Sequence, residues 1–196
     1  MKKIAITGGL SSGKSTVCHM LENLGAYSVS ADAIVHELLS PKSLVGQQVI
    51  QLLGTEIVDH QTINRKKIAD IVFSNPDKLR DLEKILHPAV FSAIDEQYAL
   101  AKNKSYPLFV AEIPLLFETE SHSHFDVTVA VVADEAVAKK RFQEKGMSDV
   151  LEYEKRSQQQ LPPEEKVARA TQAIYNNGSI DNLKLQVDAL YSALTQ

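Results

Sequence analysis

An α/β fold with a central parallel sheet is what this 196-residue sequence predicts, and three observations carry the prediction. Short apolar runs alternate with segments of helical periodicity along the whole chain, the pattern of strand–helix–strand units. Two of those runs, Leu108 to Ile113 and Asp126 to Ala133, are rich in Val and Ile without polar alternation, as strands covered on both faces are. The third observation is a glycine-rich turn, Gly8 to Thr16, set between the first apolar run and the first helical one. With 44% hydrophobic and 23% charged residues the chain suits one compact domain and excludes a fibrous or disordered one.

Lys3 to Thr7 reads as a buried strand. Val17, Met20, Leu21 and Leu24 then recur at helical spacing, and Gly25 marks that helix's end. Tyr27 to Ser30 is a second short strand, and Asp32 opens a helical pattern of Ile34, Val35, Leu38 and Leu39 that Pro41 stops. Leu44 to Leu53 and Lys66 to Phe73 are helical, with a polar turn around Asp59 to Thr62 between them. A long helical segment follows from Pro76 to about Lys102, where His87-Pro88 predicts a kink or restart. After the two apolar strands, Asp134 is placed to cap a helix running to Lys145. Ser148 to Gln160 is charged and Gln-rich, and reads as an exposed helix. Pro162-Pro163 starts another, Ala173 to Tyr175 is a last strand, and Ile180, Leu183, Val187, Leu190 and Leu194 mark the final helix.

Charge and composition narrow the partners. The net charge of −4 argues against broad nucleic-acid binding, since such domains are usually strongly basic. No apolar run is long enough for a membrane span, no signal peptide is recognisable, and Cys18 alone offers no intrachain disulfide. A soluble cytoplasmic protein is expected, with Cys18 a small buried hydrophobe. His122 and His124 have no nearby third ligand and do not suggest a metal site.

Gly8-Gly9-Leu10-Ser11-Ser12-Gly13-Lys14-Ser15-Thr16 has the spacing G-x-x-x-x-G-K-[ST]. Glycines let successive backbone N–H groups converge on phosphate oxygens, and the helix that follows adds its positive end. Lys14 is placed to reach the β- and γ-phosphates, and the Ser15 hydroxyl to ligate Mg²⁺. Gly8, Ser11, Ser12, Gly13, Lys14, Ser15 and Thr16 are therefore the candidate ATP-binding set. The guanine signature Asn-Lys-x-Asp is missing, because Asn103-Lys104-Ser105-Tyr106 lacks the aspartate, so a GTPase is disfavoured. A small-molecule kinase leads, with a non-enzymatic ATP-binding regulatory module as the competing class.

Beyond this loop, Leu24-Gly25, Ser30-Ala31-Asp32, Ile63-Asn64-Arg65, Val72-Phe73, Leu82 to Pro88, Ile113-Pro114-Leu115-Leu116-Phe117-Glu118, Arg141 and Asn176-Asn177-Gly178 follow in order over nearly the whole chain. In these the sequence resembles the dephospho-CoA kinase family. The resemblance implies a three-layer P-loop NTPase fold of about five parallel strands, in which ligands gather at the carboxyl ends. It also implies transfer of the ATP γ-phosphoryl to the ribose 3′-hydroxyl of dephospho-CoA. Residues of about 33–104 would form a helical acceptor-binding region and about 139–165 a lid, all within one domain. Asp32, just after the second strand, matches the family's catalytic carboxylate, although a plain helix N-cap is an alternative for it. His36, on the same helix face four residues on, stands where the family places a basic residue; a solvated His is the other reading.

Only five arginines are present, and Arg binds phosphate bidentately where Lys does not. By resemblance Arg65 belongs to the acceptor site and Arg141 to the lid, where it would join Lys14 and Asp32 in catalysis. Arg80 and Arg169 read as surface charges, and Arg156 lies in the lid stretch. Asn177 is assigned to the nucleotide. His87 is assigned to the acceptor pocket, or to a structural role at the helix break. Pro114, Leu115 and Leu116 would line the crevice for the pantetheine arm, or pack in the core. Ser11, Ser30, Gln61, Lys145 and Thr171 depart from the family pattern. Ser11 stands where a Gly is usual, so its backbone is expected to avoid glycine-only angles. A different small-metabolite kinase of the same fold, acting on a nucleoside monophosphate or shikimate, is the runner-up; fold alone does not fix the acceptor.

Overall fold

The computed structural model describes residues 1–144 and 150–196; Lys145 and the start of the Ser148 to Gln160 stretch lie outside them. Contacts divide the chain into two compact units, residues 1–29 with 98–196, and residues 30–97. The second overlaps the expected acceptor-binding region of about 33–104.

The first unit begins with β1 (Lys2–Gly8), α1 (Lys14–Asn23) and β2 (Tyr27–Ser30). β1 is buried along nearly its whole length because both of its faces are covered. α1 ends in a Schellman-type turn, where Ala26 N–H donates to Leu21 O and Gly25 N–H to Glu22 O.

The second unit is helical. It holds α2 (Ala31–Leu38), α3 (Leu44–Leu53), the two short strands β3 (Val58–Asp59) and β4 (Thr62–Ile63), α4 (Arg65–Phe73) and most of α5 (Pro76–Asn103). Its core gathers Leu39, Val49, Leu53, Ile57, Ile63, Ile68, Val72 and Leu82. Two expectations change here. The polar turn at Asp59 to Thr62 is an antiparallel hairpin whose two turn residues, His60 and Gln61, both have positive φ, +44° and +68°. That turn matches the right-handed twist of the strands. Nor does α5 restart at Pro88, which sits inside one continuous helix. An interior proline costs about 3 kcal/mol, and buried Leu82, Val90 and Ile94 offset it, each worth about 1.5–3 kcal/mol when fully buried.

The chain returns to the first unit through β5 (Leu108–Glu112), β6 (Val127–Val132), α6 (Glu135–Glu144), α7 (Val150–Ser157), α8 (Pro163–Arg169), β7 (Gln172–Tyr175) and α9 (Ile180–Thr195). Five strands form one sheet in the order β2-β5-β1-β6-β7. β1 pairs in parallel with β5 and β6, and β6 in parallel with β7. Ile4, Ile6, Val110, Val129 and Val131 face α1 and α9, packing on Val17, Leu21, Val187 and Leu190. On the opposite face the last turns of α5 set Tyr98 edge-on to Phe109, with α8 beside β6 and β1. The layers are thus helix, sheet, helix. Tyr175, at the end of the outer strand β7, has its N–H and C=O both bonded to the side-chain amide of Gln186.

α7 differs from its sequence reading. Tyr153 is buried edge-on against Phe142 at 5.4 Å, with the Lys139 ammonium over its ring, so one face of this polar helix is covered. A single tyrosine is too sparse to register as periodicity. Cys18 lies on the buried face of α1, and burial pushes its thiol well above the ordinary range, leaving it an inert hydrophobe. Among the described residues no helix is long and apolar enough to cross a membrane.

Candidate active site

The glycine-rich loop joins β1 to α1, and α1 starts differently from the four helices that a side chain caps. α2, α3, α4 and α9 begin on Ser30, Ser43, Asn64 and Ser179, whose side-chain oxygens accept first-turn N–H groups. α1 begins on Gly13, at φ +102°, with no side-chain cap. Its first-turn donors are therefore left for an anion, with the helix dipole behind them. Gly8 is equally constrained, since a Cβ there would lie 2.1 Å from Val131 O. Ser11 does not avoid the left-handed region: it sits at φ +55°, which an L-residue enters at about 1–2 kcal/mol.

Lys14 is buried, its Nζ donating to Gly8 O at 3.2 Å and Gly9 O at 2.9 Å, so the ammonium curls back over the loop. Ser15 Oγ donates to Glu112 Oε1 at 2.9 Å. Glu112 ends β5, the strand beside β1, and the sequence reading passed over it. The sequence offers only part of the signal, an acidic residue closing an apolar strand; that this strand lies beside β1 is a matter of topology. Ser12 Oγ is buried without a hydrogen-bond partner.

Asn176, directly after β7, is the second residue the sequence reading missed. Its Nδ2 donates to Ser12 O at 2.8 Å, and its Oδ1 accepts from Arg141 Nη2 at 3.3 Å. Its neighbour Asn177, expected at the nucleotide, bonds at the lead into α6. Asn177 makes a reciprocal pair with Asp134, accepting from its N–H and donating to its carboxylate. Asn176 thus bonds to the loop itself, and Asn177 to the residue that precedes α6.

Arg141, on α6, has its Nη1 buried with no partner. With Ser11, Gly13, Thr16, Glu144, Asn176 and Gly178 it lines a cleft of about 340 Å³. A larger cleft of about 480 Å³ also borders the loop. Gly9, Leu10 and Ser12 line it together with Asp134, Tyr153, Ser157 and the segment from Gln160 to Glu164. Arg80, Arg156 and Arg169 are paired with Asp77, Glu152 and Glu120. Among the described residues Arg65 and Arg141 are the two arginines without a carboxylate partner.

Residues 114–118 leave β5. Pro114 O accepts from Thr7 Oγ1 at 3.2 Å and Lys166 Nζ at 2.8 Å. Leu115 is 41% exposed, whereas Leu116 is fully buried, so Leu116 packs in the core and has no surface for a ligand. Thr171 pairs with Thr128 through hydroxyl and backbone, pinning β7 to β6.

In the helical unit, Asp32 is exposed on the first turn of α2 and does not cap it. Ser30 does, accepting from Ala33 N–H, so the N-cap reading of Asp32 is corrected. His36 is exposed one turn on, along the same face. Arg65 is the first residue of α4 and is exposed. Asn64 caps that helix and donates to Asp59, and Lys67 also binds Asp59, which lowers that carboxyl's pKa. Arg65 therefore stands at the positive end of a helix whose first turn holds no acid, an unfavourable placement unless an anion comes to it. His87 is half-buried in α5.

Comparison with known proteins adds four matches. The profile of the family described as dephospho-CoA kinase matches residues 2–182. The dephospho-CoA kinase of Protochlamydia amoebophila is 43% identical over 196 residues, covering 99% of this chain and 97% of that protein. Among solved structures, one from Thermus thermophilus superposes with a TM-score of 0.87 at 31% identity, covering 100% and 98% of the two chains. A dephospho-CoA kinase from Campylobacter jejuni does so at 0.72 and 25%, covering 98% and 96%.

Proposed function

The chain belongs to the dephospho-CoA kinase family, and from that membership we propose that it transfers the γ-phosphoryl of ATP to the ribose 3′-hydroxyl of dephospho-CoA, giving coenzyme A and ADP. The observation that carries the reading is the uncapped start of α1 with Lys14 folded over the loop. Backbone donors and a buried ammonium converge there, which is what a triphosphate requires. On nucleotide binding Lys14 exchanges its two carbonyl partners for phosphate oxygens. The cleft bounded by Thr16, Arg141 and Gly178 accommodates the nucleoside, and the unpartnered Arg141 Nη1 turns to phosphate.

Ser15 and Glu112 are hard oxygen donors held 2.9 Å apart, a set that fits Mg²⁺, which takes one or two protein ligands besides substrate phosphates. When bound, Mg²⁺ neutralises charge on the β- and γ-phosphates. Asp32, unencumbered by capping, orients the acceptor hydroxyl and accepts its proton. Arg65 meets the acceptor's phosphate groups at the α4 N-terminus, with His36 and His87 as further acceptor contacts and Leu115 as apolar surface for the pantetheine arm. In line with the composition, the substrates are small molecules, not nucleic acid.

The test is direct. The protein is incubated with ATP and Mg²⁺ and, separately, dephospho-CoA, nucleoside monophosphates or shikimate, and products are identified by mass. Coenzyme A from dephospho-CoA alone is the expected result. A phosphorylated product from another acceptor would identify a different small-metabolite kinase, and ATP turnover with no phosphorylated acceptor a regulatory ATP-binding module.

A further inference from the structure

Phosphate binding assigns no task to Glu118, the last residue of the Pro-Leu-Leu-Phe-Glu segment. Its carboxylate lies 2.8 Å from the Lys166 ammonium, and the two side chains are 14% and 0% exposed. Lys166 Nζ also donates to Pro114 O, which Thr7 at the end of β1 reaches from the other side. Glu118 Oε1 in turn accepts the N–H of Leu161, in the lead into α8, at 2.8 Å. Three separate pieces of chain meet at one buried point: the strand feeding the phosphate loop, the segment after β5, and the start of α8.

A buried ion pair of this kind is a poor source of stability, because desolvation offsets the attraction between the charges. Burial holds the Lys166 pKa below its ordinary value in spite of Glu118. What the pair supplies is position. Gln160, Leu161, Pro163 and Glu164 form one wall of the larger cleft, facing Gly9, Leu10 and Ser12 of the loop. The Leu161 amide is fastened to Glu118, and Lys166 fastens the same stretch one turn into α8.

We propose that Glu118 and Lys166 are positioning residues that hold the 160–164 wall beside the phosphate loop and thereby set the ratio of phosphoryl transfer to ATP hydrolysis. The inference rests on the kinase reading above. In transfer, the acceptor oxygen bonds to the γ-phosphorus as the bond to the β–γ bridging oxygen breaks, and the hydroxyl proton goes to the base. In hydrolysis, water replaces the hydroxyl, and inorganic phosphate, ADP and a proton leave. A fixed wall excludes that water, whereas a loose one admits it.

The deciding variant is the double substitution Glu118→Gln with Lys166→Met, which keeps volume and removes both buried charges. Inorganic phosphate and coenzyme A are measured in the presence of ATP, Mg²⁺ and dephospho-CoA, with melting temperature as the folding control. The ratio of hydrolysis to transfer is expected to rise by about fivefold or more in a folded variant. A purely structural role would depress both rates together, and an unchanged ratio overturns the proposal. If the double variant does not fold, Glu118→Asp, which keeps both charges and shortens the reach, is read the same way. It should raise the ratio to a lesser degree, and an unchanged ratio there is equally fatal. Wild-type protein that makes no coenzyme A would refute the kinase reading itself, a separate result.

Discussion

The side-chain amide of Asn176 occupies the space that a Cβ on Gly13 would need, its Nδ2 only 2.1 Å from that position. Gly13 starts α1 and Asn176 follows β7, so two segments far apart in sequence close on each other at the phosphate loop. The same Nδ2 holds Ser12 O, so the loop's curvature and the glycine depend on one contact.

Gly13→Ala meets two obstacles, a backbone at φ +102° and the Asn176 amide. The variant is expected to lose detectable ATP binding by calorimetry and to fall in melting temperature. Adding Asn176→Ala removes the steric obstacle but leaves the left-handed strain of about 1–2 kcal/mol, so the double variant should recover part of the stability and little of the binding. Full recovery of both would mean that the backbone angle is unimportant.

Capping and chemistry are assigned to different residues at the start of α2. Asp32→Asn should lower kcat by about 10²–10⁴-fold with melting temperature unchanged. Ser30→Ala should cost about 1 kcal/mol of stability and spare most of kcat in the folded fraction. A normal kcat in Asp32→Asn removes the carboxylate from the mechanism.

Glu112→Gln keeps an acceptor for Ser15 Oγ but removes the charge. The Mg²⁺ concentration giving half-maximal rate should rise by about tenfold, while thermal stability holds, because the residue is partly exposed at a strand end. Titration of activity with Mg²⁺ reads this directly, and an unchanged midpoint would sever Glu112 from the metal.

Arg65 has no ion-pair partner among the described residues, so Arg65→Ala should leave the melting temperature within experimental error. The KM for dephospho-CoA is expected to rise by about 10- to 150-fold, the worth of a lost charge-assisted hydrogen bond, with the KM for ATP nearly unchanged. A shift confined to ATP would place Arg65 with the wrong substrate.

The parallel sheet was legible because β1, β5 and β6 are buried on both faces and leave runs that are mostly apolar, without polar alternation. The hairpin of β3 and β4 was not, since two-residue strands carry no periodicity and His60-Gln61 lacks the usual Asn-Gly signature. α5 passed through Pro88 because flanking apolar burial outweighed one missing hydrogen bond. In the site, Lys14 and Ser15 announce themselves by spacing. Which of Asn176 and Asn177 bonds to the loop depends on how the chain turns after β7, and the role of Glu112 depends on β5 lying next to β1. Neither fact is local to its own residues.

The Gln186 amide on Tyr175 has a consequence for the molecule in a crowded solution. β7 is the outer strand of a parallel sheet, and an open strand end recruits other chains into a growing sheet. Gln186 presents one donor and one acceptor at the spacing of a neighbouring backbone, and so satisfies Tyr175 as a further strand would. At that end the sheet stops on a side chain of its own α9, which already fills the rung at Tyr175 that an aggregating partner would use.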